Sequence, residues 1–465
     1  MSASSANALA DVWSAAGLPQ AMTADVAFEG PARVLPSSFA VDAAAQASIA
    51  AAALAAEHVS RLRGAPAQTI SIDAQAAAAE CSAWFSIDGK TPPIWDKFSG
   101  LYPCGADVGA PGHVRIHANF AHHRDGALAL LGAPTDGSAE KTDVANALRA
   151  WRAEDFEQAA GDRKLVVSAL RSFAQWDAHP HAAFLRAADL VAIEKIGEAA
   201  PRALPARAEK PLAGVRVIEL TRILAGPAAG RTLAAYGADV MLVNSPHLPN
   251  ISSIMETSRG KLSAQVDLQT EDGKAALRRL VRDAHVFVQG YRPGGLAALG
   301  FSDERLADLR PGVVCVSLDA YGYAGPWAGK RGFDSLVQTA TGFNHAEGEA
   351  AGGEPRALPV QILDYATGFL MAFGASVALA RQMQEGGSWR VRVSLARTGL
   401  WLRSLGRIDD GFALEPPDLR NLARVYKSGY GELVAFPHSA RYSRASTDWP
   451  RPSVPPGAHA PQWPD

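Results

Sequence analysis

Gly214-Val-Arg-Val-Ile-Glu-Leu-Thr-Arg-Ile-Leu-Ala-Gly-Pro-Ala-Ala-Gly-Arg-Thr-Leu-Ala-Ala-Tyr236 changes texture halfway. Gly214 to Leu220 is a β-run, and Ala225 to Tyr236 is a small, apolar helix with Pro227 at an early helical position. Outward from it the alternation repeats. Ala238–Val243, His285–Gln289 and Val313–Leu318 read as strands, Gly273–Ala284 and Leu306–Leu309 as helices. Strands apolar on both faces and joined by helical crossovers predict a parallel, doubly wound sheet, with ligands at the strand C-termini. The Ala225-Gly-Pro turn is too poor in glycine beside GxGxxG to favour a nicotinamide site.

Downstream, Val360-Gln-Ile-Leu-Asp364-Tyr-Ala-Thr-Gly368 runs into an almost wholly apolar stretch through Ala380. On a helix that stretch is buried on most sides, and Asp364 stands at its mouth. Taken by itself, Asp364 reads as an N-cap, solvated by free backbone N–H groups and the helix dipole. Gly368 lets a backbone or a ligand approach the helix start, and Thr367 adds a hydroxyl.

Composition limits the rest. The 465 residues are 48% hydrophobic, enough for two or three domains and a sizeable core. A net charge of −2 without a lysine-rich run argues against nucleic acid or an anionic membrane as partner. Cys81, Cys104 and Cys315 are too few and too scattered for a disulfide framework, which fits a reducing compartment. With no secretory pattern opening the chain and no uncharged run of about 18 to 20 residues, the expectation is cytoplasmic.

Upstream of the sheet, residues 1–36 read as a loosely held N-terminal arm. Val41–Arg63 is an alanine-rich helix broken at Gly64, Thr69–Ile72 a strand, and Asp73 to about Trp84 a second alanine-rich helix. His113–Phe120 alternates like a strand and leads into a helix ending at Leu131; residues 142–160 and 169–190 read as two amphipathic helices. His113, His117, His122 and His123 lack the spacing of a metal site and read as helix-start or surface histidines. The mixed stretch Arg202–Lys210 is a linker. The expected units are therefore 1–36, 37–205, 206–408 and a Pro-rich extension, 409–465, wrapping a domain surface or a partner.

An internal repeat crosses these units. Asp364, its apolar helix, the break at Gly386-Gly387, the strand Val391–Leu395 and the helix through Leu402 echo Asp42, its alanine-rich helix, Gly64, Ile70-Ser-Ile72 and the helix through Trp84. Only the later copy carries Tyr-Ala-Thr-Gly after the aspartate, which favours Asp364 as the reactive one.

Pro211-Leu-Ala-Gly-Val-Arg-Val-Ile-Glu-Leu-Thr-Arg-Ile-Leu-Ala-Gly-Pro227, Gly237-Ala-Asp-Val240, Arg259-Gly-Lys-Leu-Ser263, Tyr291-Arg-Pro-Gly294, Tyr321-Gly-Tyr-Ala-Gly-Pro326, Arg331-Gly-Phe-Asp334 and Asp364-Tyr-Ala-Thr-Gly368 occur in order. Together they resemble the family III CoA-transferases of the CaiB/BaiF type. Residues 69–205 look like the part that normally follows the aspartate helix, so the family unit is permuted here, with the aspartate segment present twice. The resemblance implies an α/β fold: a Rossmann-like, mostly parallel sheet plus a smaller α+β domain, in a homodimer interlocked like two rings. It implies transfer of CoA from an acyl-CoA to a carboxylic acid, with no permanently bound cofactor and no metal. Asp364 is the implied nucleophile, and an aspartate of ordinary pKa is ionised at neutral pH. CoA is expected along Arg222, Leu224, Ala225, Lys261, Tyr291, Arg292 and Tyr321, with Arg222, Lys261 and Arg292 meeting phosphates; Phe333 is expected to help keep the pocket dry. Asn244-Ser-Pro-His247 departs from the family's acid–base pair at that place, and a mobile glycine-rich loop is missing. The alternatives are an α-methylacyl-CoA racemase, disfavoured because Phe333 occupies the place of a proton-transferring His, and a non-catalytic acyl-CoA binder.

Overall fold

A computed structural model describes residues 4–206 and 209–464; the middle of the expected linker, 207–208, lies outside them. Seven strands form the main sheet: β1 (Ala192–Gly197), β2 (Arg216–Leu220), β3 (Asp239–Asn244), β4 (Lys261–Gln265), β5 (Val286–Gln289), β6 (Val314–Asp319) and β7 (Ser388–Ser394). Their spatial order is β4-β3-β2-β5-β6-β7-β1. Every pairing is parallel except that of β7 with β1. Alternate side chains of one strand enter two different cores, Val217 on one face and Ile218 on the other. Helices therefore cover both faces, as the apolar runs predict.

One face is built on helix pairing. The Asp42 helix (Val41–Leu62) and the Asp364 helix (Ile362–Glu385) pack together, and the Ala225–Ala235 helix packs on the latter. Ile362–Glu385 is long and apolar enough to cross a membrane, but it is buried inside the protein. The repeat is visible as two helix–strand–helix units. Asp73 caps the helix Ala74–Cys81 through Ala76 N–H, as Ser394 caps Leu395–Ser404 through Arg397 N–H. Their strands differ in setting: β7 is in the main sheet, whereas Ile70–Asp73 joins Val26–Glu29 and Ala440–Tyr442 in a small one.

The region 37–205 is not one body. The strands Gly100–Cys104, Gly112–Ile116 and Val167–Ala169 form an antiparallel sheet with its own core. By contrast, the Asp42 helix and β1 belong to the main body. The expected helix at 142–160 is two helices, Lys141–Leu148 and Ala153–Asp162. That at 169–190 becomes Phe173–Ala178 and Pro180–Ala187, since Pro180 starts a new helix. Nor is the N-terminal arm loose. Ser5–Ala15 is a helix that buries Leu9, Val12 and Trp13, with the Trp13 ring 6.0 Å from Phe373.

Residues 409–464 wrap the domain surface, with more order than their composition implies. Arg424–Ser428 and Gly431–Ala435 form a hairpin that pairs with Phe85–Ile87. His459 exchanges hydrogen bonds with the backbone of Ser263 on β4, covering an otherwise open sheet edge. A buried ionic network joins the region before the linker, the main-sheet region and the C-terminal extension. Arg231 pairs with Glu80 and Glu256, Glu256 also binds Arg259, and Glu80 accepts from Ser439.

Candidate active site

β2 has β3 on one side and β5 on the other, so the strand order reverses there and a crevice opens at the strand C-termini. A cavity of about 320 Å³ occupies it. The turn after β2, Thr221 to Ala225, forms one wall; Gly290–Arg292 after β5 and Leu318–Ala320 at the end of β6 form others. Ile223 has a φ of +77°, a conformation that β-branched residues avoid and that persists only where the surroundings impose it. Here Thr221 Oγ1 donates to Glu219 Oε1 at 2.6 Å, and a Cβ on Gly226 would lie 2.4 Å from Thr221 Cβ. The turn is clamped from both ends.

Asp364 faces this cavity. Its own N–H donates to Asp334 Oδ2 at 2.9 Å, while no group among the described residues donates to its carboxylate. Asp334 is fully buried and also accepts from Gln338 Nε2. Burial raises both carboxyls. Asp334 is pushed up to about 6, and Asp364 well above the carboxylate range, first by burial and then by the neighbouring Asp334 charge. Asp334, with its two donors, is the better stabilised anion of the pair, and Asp364 is held toward its protonated form. The expectation of an ordinary carboxylate pKa is corrected accordingly.

Gly368 lies one helical turn beyond Asp364, where a Cβ would stand 2.5 Å from the Ala225 carbonyl oxygen. The close approach foreseen for it is thus by backbone, and it places the β2 turn beside Asp364. The Thr367 hydroxyl instead turns to Thr398 Oγ1, 2.7 Å away, on the next helix. Asp42, at the matching position of the earlier repeat, lines no part of the cavity. Its Oδ2 accepts from Val34 and Leu35 N–H at 3.0 and 3.2 Å, so the segment that would correspond to a ligand path is filled by the N-terminal arm.

Of the residues expected along CoA, Arg222, Leu224, Ala225, Tyr291 and Arg292 line the cavity. Arg222 donates to the Pro249 carbonyl and lies 5.0 Å from the Phe120 ring centre; Arg292 forms no ion pair among the described residues. Lys261 is elsewhere. It is fully buried beneath the Ala225–Ala235 helix, with Nζ 2.7 Å from Glu219 Oε2 and 2.8 Å from Pro227 O, and cannot meet a phosphate there. Gly230 makes room for that pair, since a Cβ would be 1.8 Å from Glu219 Oε2. Tyr321 is buried below the cavity, its hydroxyl 3.4 Å from Ser168 Oγ and its carbonyl 2.7 Å from His181 Nε2. Both positions match the motif in sequence, but their side chains are spent on packing.

Residues not expected along CoA complete the cavity. Phe120, His122 and His123 come from the start of the helix Ala121–Leu131, and Lys330, Arg331 and Phe333 from the loop after β6. His123 is a helix-start histidine, in the first turn of Ala121–Leu131, but both it and His117 are buried. Burial holds His117 at about 3 and His123 at about 4, so both are neutral. The His117 ring stacks on Phe333 with centres 4.1 Å apart, turning Phe333 into a fixed apolar wall. Asp319 lines the cavity too and is raised to about 7 by burial, although Tyr321 and Gly322 N–H donate to it at 2.8 Å. In the sequence, the strand running into Phe120-Ala-His-His123 was the only signal for the first group. A second hollow of about 240 Å³ shares Tyr291, Arg292 and Leu248 and continues past Asn244 and His247. The two together suit an elongated ligand.

The sequence profile described as CoA-transferase family III matches residues 212–410. An acetyl-coenzyme A transferase of Hypoxylon pulicicidum is 35% identical over 213 residues, covering 44% of this chain and 36% of that protein. The succinate–glutarate CoA-transferase of Agrobacterium fabrum is 36% identical over 204 residues, covering 40% of this chain and 51% of that one. A crystal structure of a hypothetical protein from Mycobacterium tuberculosis shows 31% identity, covers 42% of this chain and 57% of that one, and has a TM-score of 0.38. The chain spans about a third to a half of the length of these two curated relatives. Through residues 212–410, this chain is similar to CoA-transferase family III.

Proposed function

We propose that the chain transfers CoA from an acyl-CoA thioester to a carboxylic acid, with Asp364 as nucleophile. The observation that carries this reading is a carboxyl group without a donor, buried at the wall of an apolar-lined cavity where the β2 turn meets a long apolar helix. An Asp364 oxygen attacks the thioester carbonyl, the C–S bond breaks, and CoA leaves as thiolate, leaving a mixed anhydride. The thiolate then attacks the aspartyl carbonyl, and the C–O bond breaks to release the first acid. The resulting aspartyl-CoA thioester is attacked by the acceptor carboxylate; reversal of the two steps yields the new acyl-CoA and frees Asp364.

Anhydride and thioester are both lost to water, so the wall of Phe120, Phe333 and Leu395 serves the chemistry by excluding it. Arg222 and Arg292 offer charge-assisted donors for CoA phosphates, and the second hollow offers room for the nucleotide end. Because Asp364 holds a proton in the free site, acylation requires its loss and is favoured as pH rises.

The test is incubation of the full chain with a panel of acyl-CoA thioesters and free acids, followed by hydroxylamine trapping and mass spectrometry. A hydroxamate on Asp364 and CoA exchange are expected, both lost in Asp364→Ala and both kept in Asp42→Ala. If Asp364→Ala transfers CoA as well as the parent does, the assignment is wrong.

A further inference from the structure

At the opposite edge of the main sheet, where β2 and β3 begin, lies an open groove of about 670 Å³. Arg202 reaches it from the linker, Arg216 from the start of β2, Arg282 from the end of the helix Glu271–Asp283, Arg310 from behind the helix Asp303–Leu309, and Arg451 from the C-terminal extension. Facing them are two carboxylates, Asp239 and Asp283. Arg451 pairs with Asp239 at 2.7 Å. The other four arginines form no ion pair among the described residues: Arg310 Nε donates to Ala284 O at 2.9 Å and Arg216 Nη2 to Pro464 O at 3.3 Å.

The concentration of charge is felt by His285, which also lines the groove. Its Nδ1 accepts from Arg216 N–H at 3.0 Å, and burial together with Arg216, Arg202 and Arg63 keeps it neutral. A helix C-terminus attracts a cation, which accounts for Arg282 and Arg310 one at a time. It does not account for Arg202 and Arg216, which come from a linker and a strand start and converge on the same space against mutual repulsion. Five guanidinium groups against two carboxylates leave three positive charges, the complement of a diphosphate group.

We propose that this groove is an anion site for a diphosphate-bearing small molecule, separate from the catalytic cavity and bridging the linker, the sheet and the C-terminal extension. The probe is inorganic pyrophosphate, titrated calorimetrically into the full chain, with orthophosphate and ADP as parallel arms. The comparison variant is Arg202→Glu/Arg282→Glu, two exposed positions whose reversal leaves the core intact. Circular dichroism and retained CoA binding check that it folds.

The expected result is a pyrophosphate site that weakens with added salt and loses about tenfold or more in affinity in the double variant. ADP binding as tightly as pyrophosphate points to a nucleotide as the source, and weaker ADP binding to free diphosphate; either supports the site. A parent isotherm unchanged in the variant, absence of binding to the parent, or orthophosphate binding as tightly as pyrophosphate overturns the proposal.

Discussion

Gly368→Ala tests how the Asp364 helix is set against the β2 turn. The added methyl would stand 2.5 Å from the Ala225 carbonyl oxygen and 3.1 Å from Ala228 Cβ, where ordinary contact begins at 3.4 Å. Neither neighbour is the flexible end of a side chain, so the two helices must part by up to about 0.9 Å. Overfilling of this kind costs about 1–3 kcal/mol, while replacing a mid-helix glycine returns about 1 kcal/mol through helix propensity and a less flexible unfolded chain. A net loss of about 0–2 kcal/mol follows. The effect on transfer is larger, because Leu224 and Ala225 line the cavity and move with the Ala225–Ala235 helix. Misplacement by about 1 Å can cost about a hundredfold in rate. The assay pairs urea denaturation with steady-state kinetics across acyl-CoA concentration. A modest fall in the midpoint with a large fall in kcat/KM is expected; a variant more stable than the parent with unaltered kinetics would refute the tight apposition of helix and turn.

Asp334→Asn removes the like charge beside Asp364 and keeps an oxygen for its N–H, so the rise of kcat/KM with pH should shift to lower pH; an unmoved profile removes Asp334 from the control of Asp364. Burial raises Asp319 to about 7 from an aspartate's ordinary 3.8, so its contribution to stability is full below the lower value and lost as pH rises through the upper one. Asp319→Asn should therefore flatten the decline in stability over that window, by up to about 4 kcal/mol, as read by urea melts at pH 4 to 8. Lys261→Met strands Glu219 in the core at a cost of about 3–5 kcal/mol, relieved at low pH where Glu219 takes up a proton. Calorimetric melting should show a pH-dependent loss, with CoA affinity little changed when measured below the transition.

The doubly wound sheet was legible because its strands are short runs apolar on both faces that alternate with helical stretches, a pattern that local sequence carries. Asp364 and the β2 turn were legible for a related reason: a lone carboxylate opening a greasy helix and a short turn after a buried strand are local patterns. Lys261 and Tyr321 were misplaced because a motif fixes the order of residues and not the direction of their side chains; burial against Glu219 and Ser168 decided that. Phe120, His122 and His123 were not legible as cavity residues because they reach it from the start of a helix, Ala121–Leu131, that packs on a separate small core. The order in the C-terminal extension was hidden as well. Its strands are too short to show periodicity and gain their hydrogen bonds only from partners such as Phe85–Ile87.

The pairing of the two aspartate helices has a consequence for biosynthesis. The earlier one leaves the ribosome roughly 320 residues ahead of its mate, an interval of roughly 15 to 60 seconds at ordinary elongation rates. Throughout that wait its alanine-rich flank has nothing to close against. A nascent or truncated chain ending before Ile362 would carry that flank unsealed, an invitation to chaperones and to self-association that vanishes once the second rod arrives.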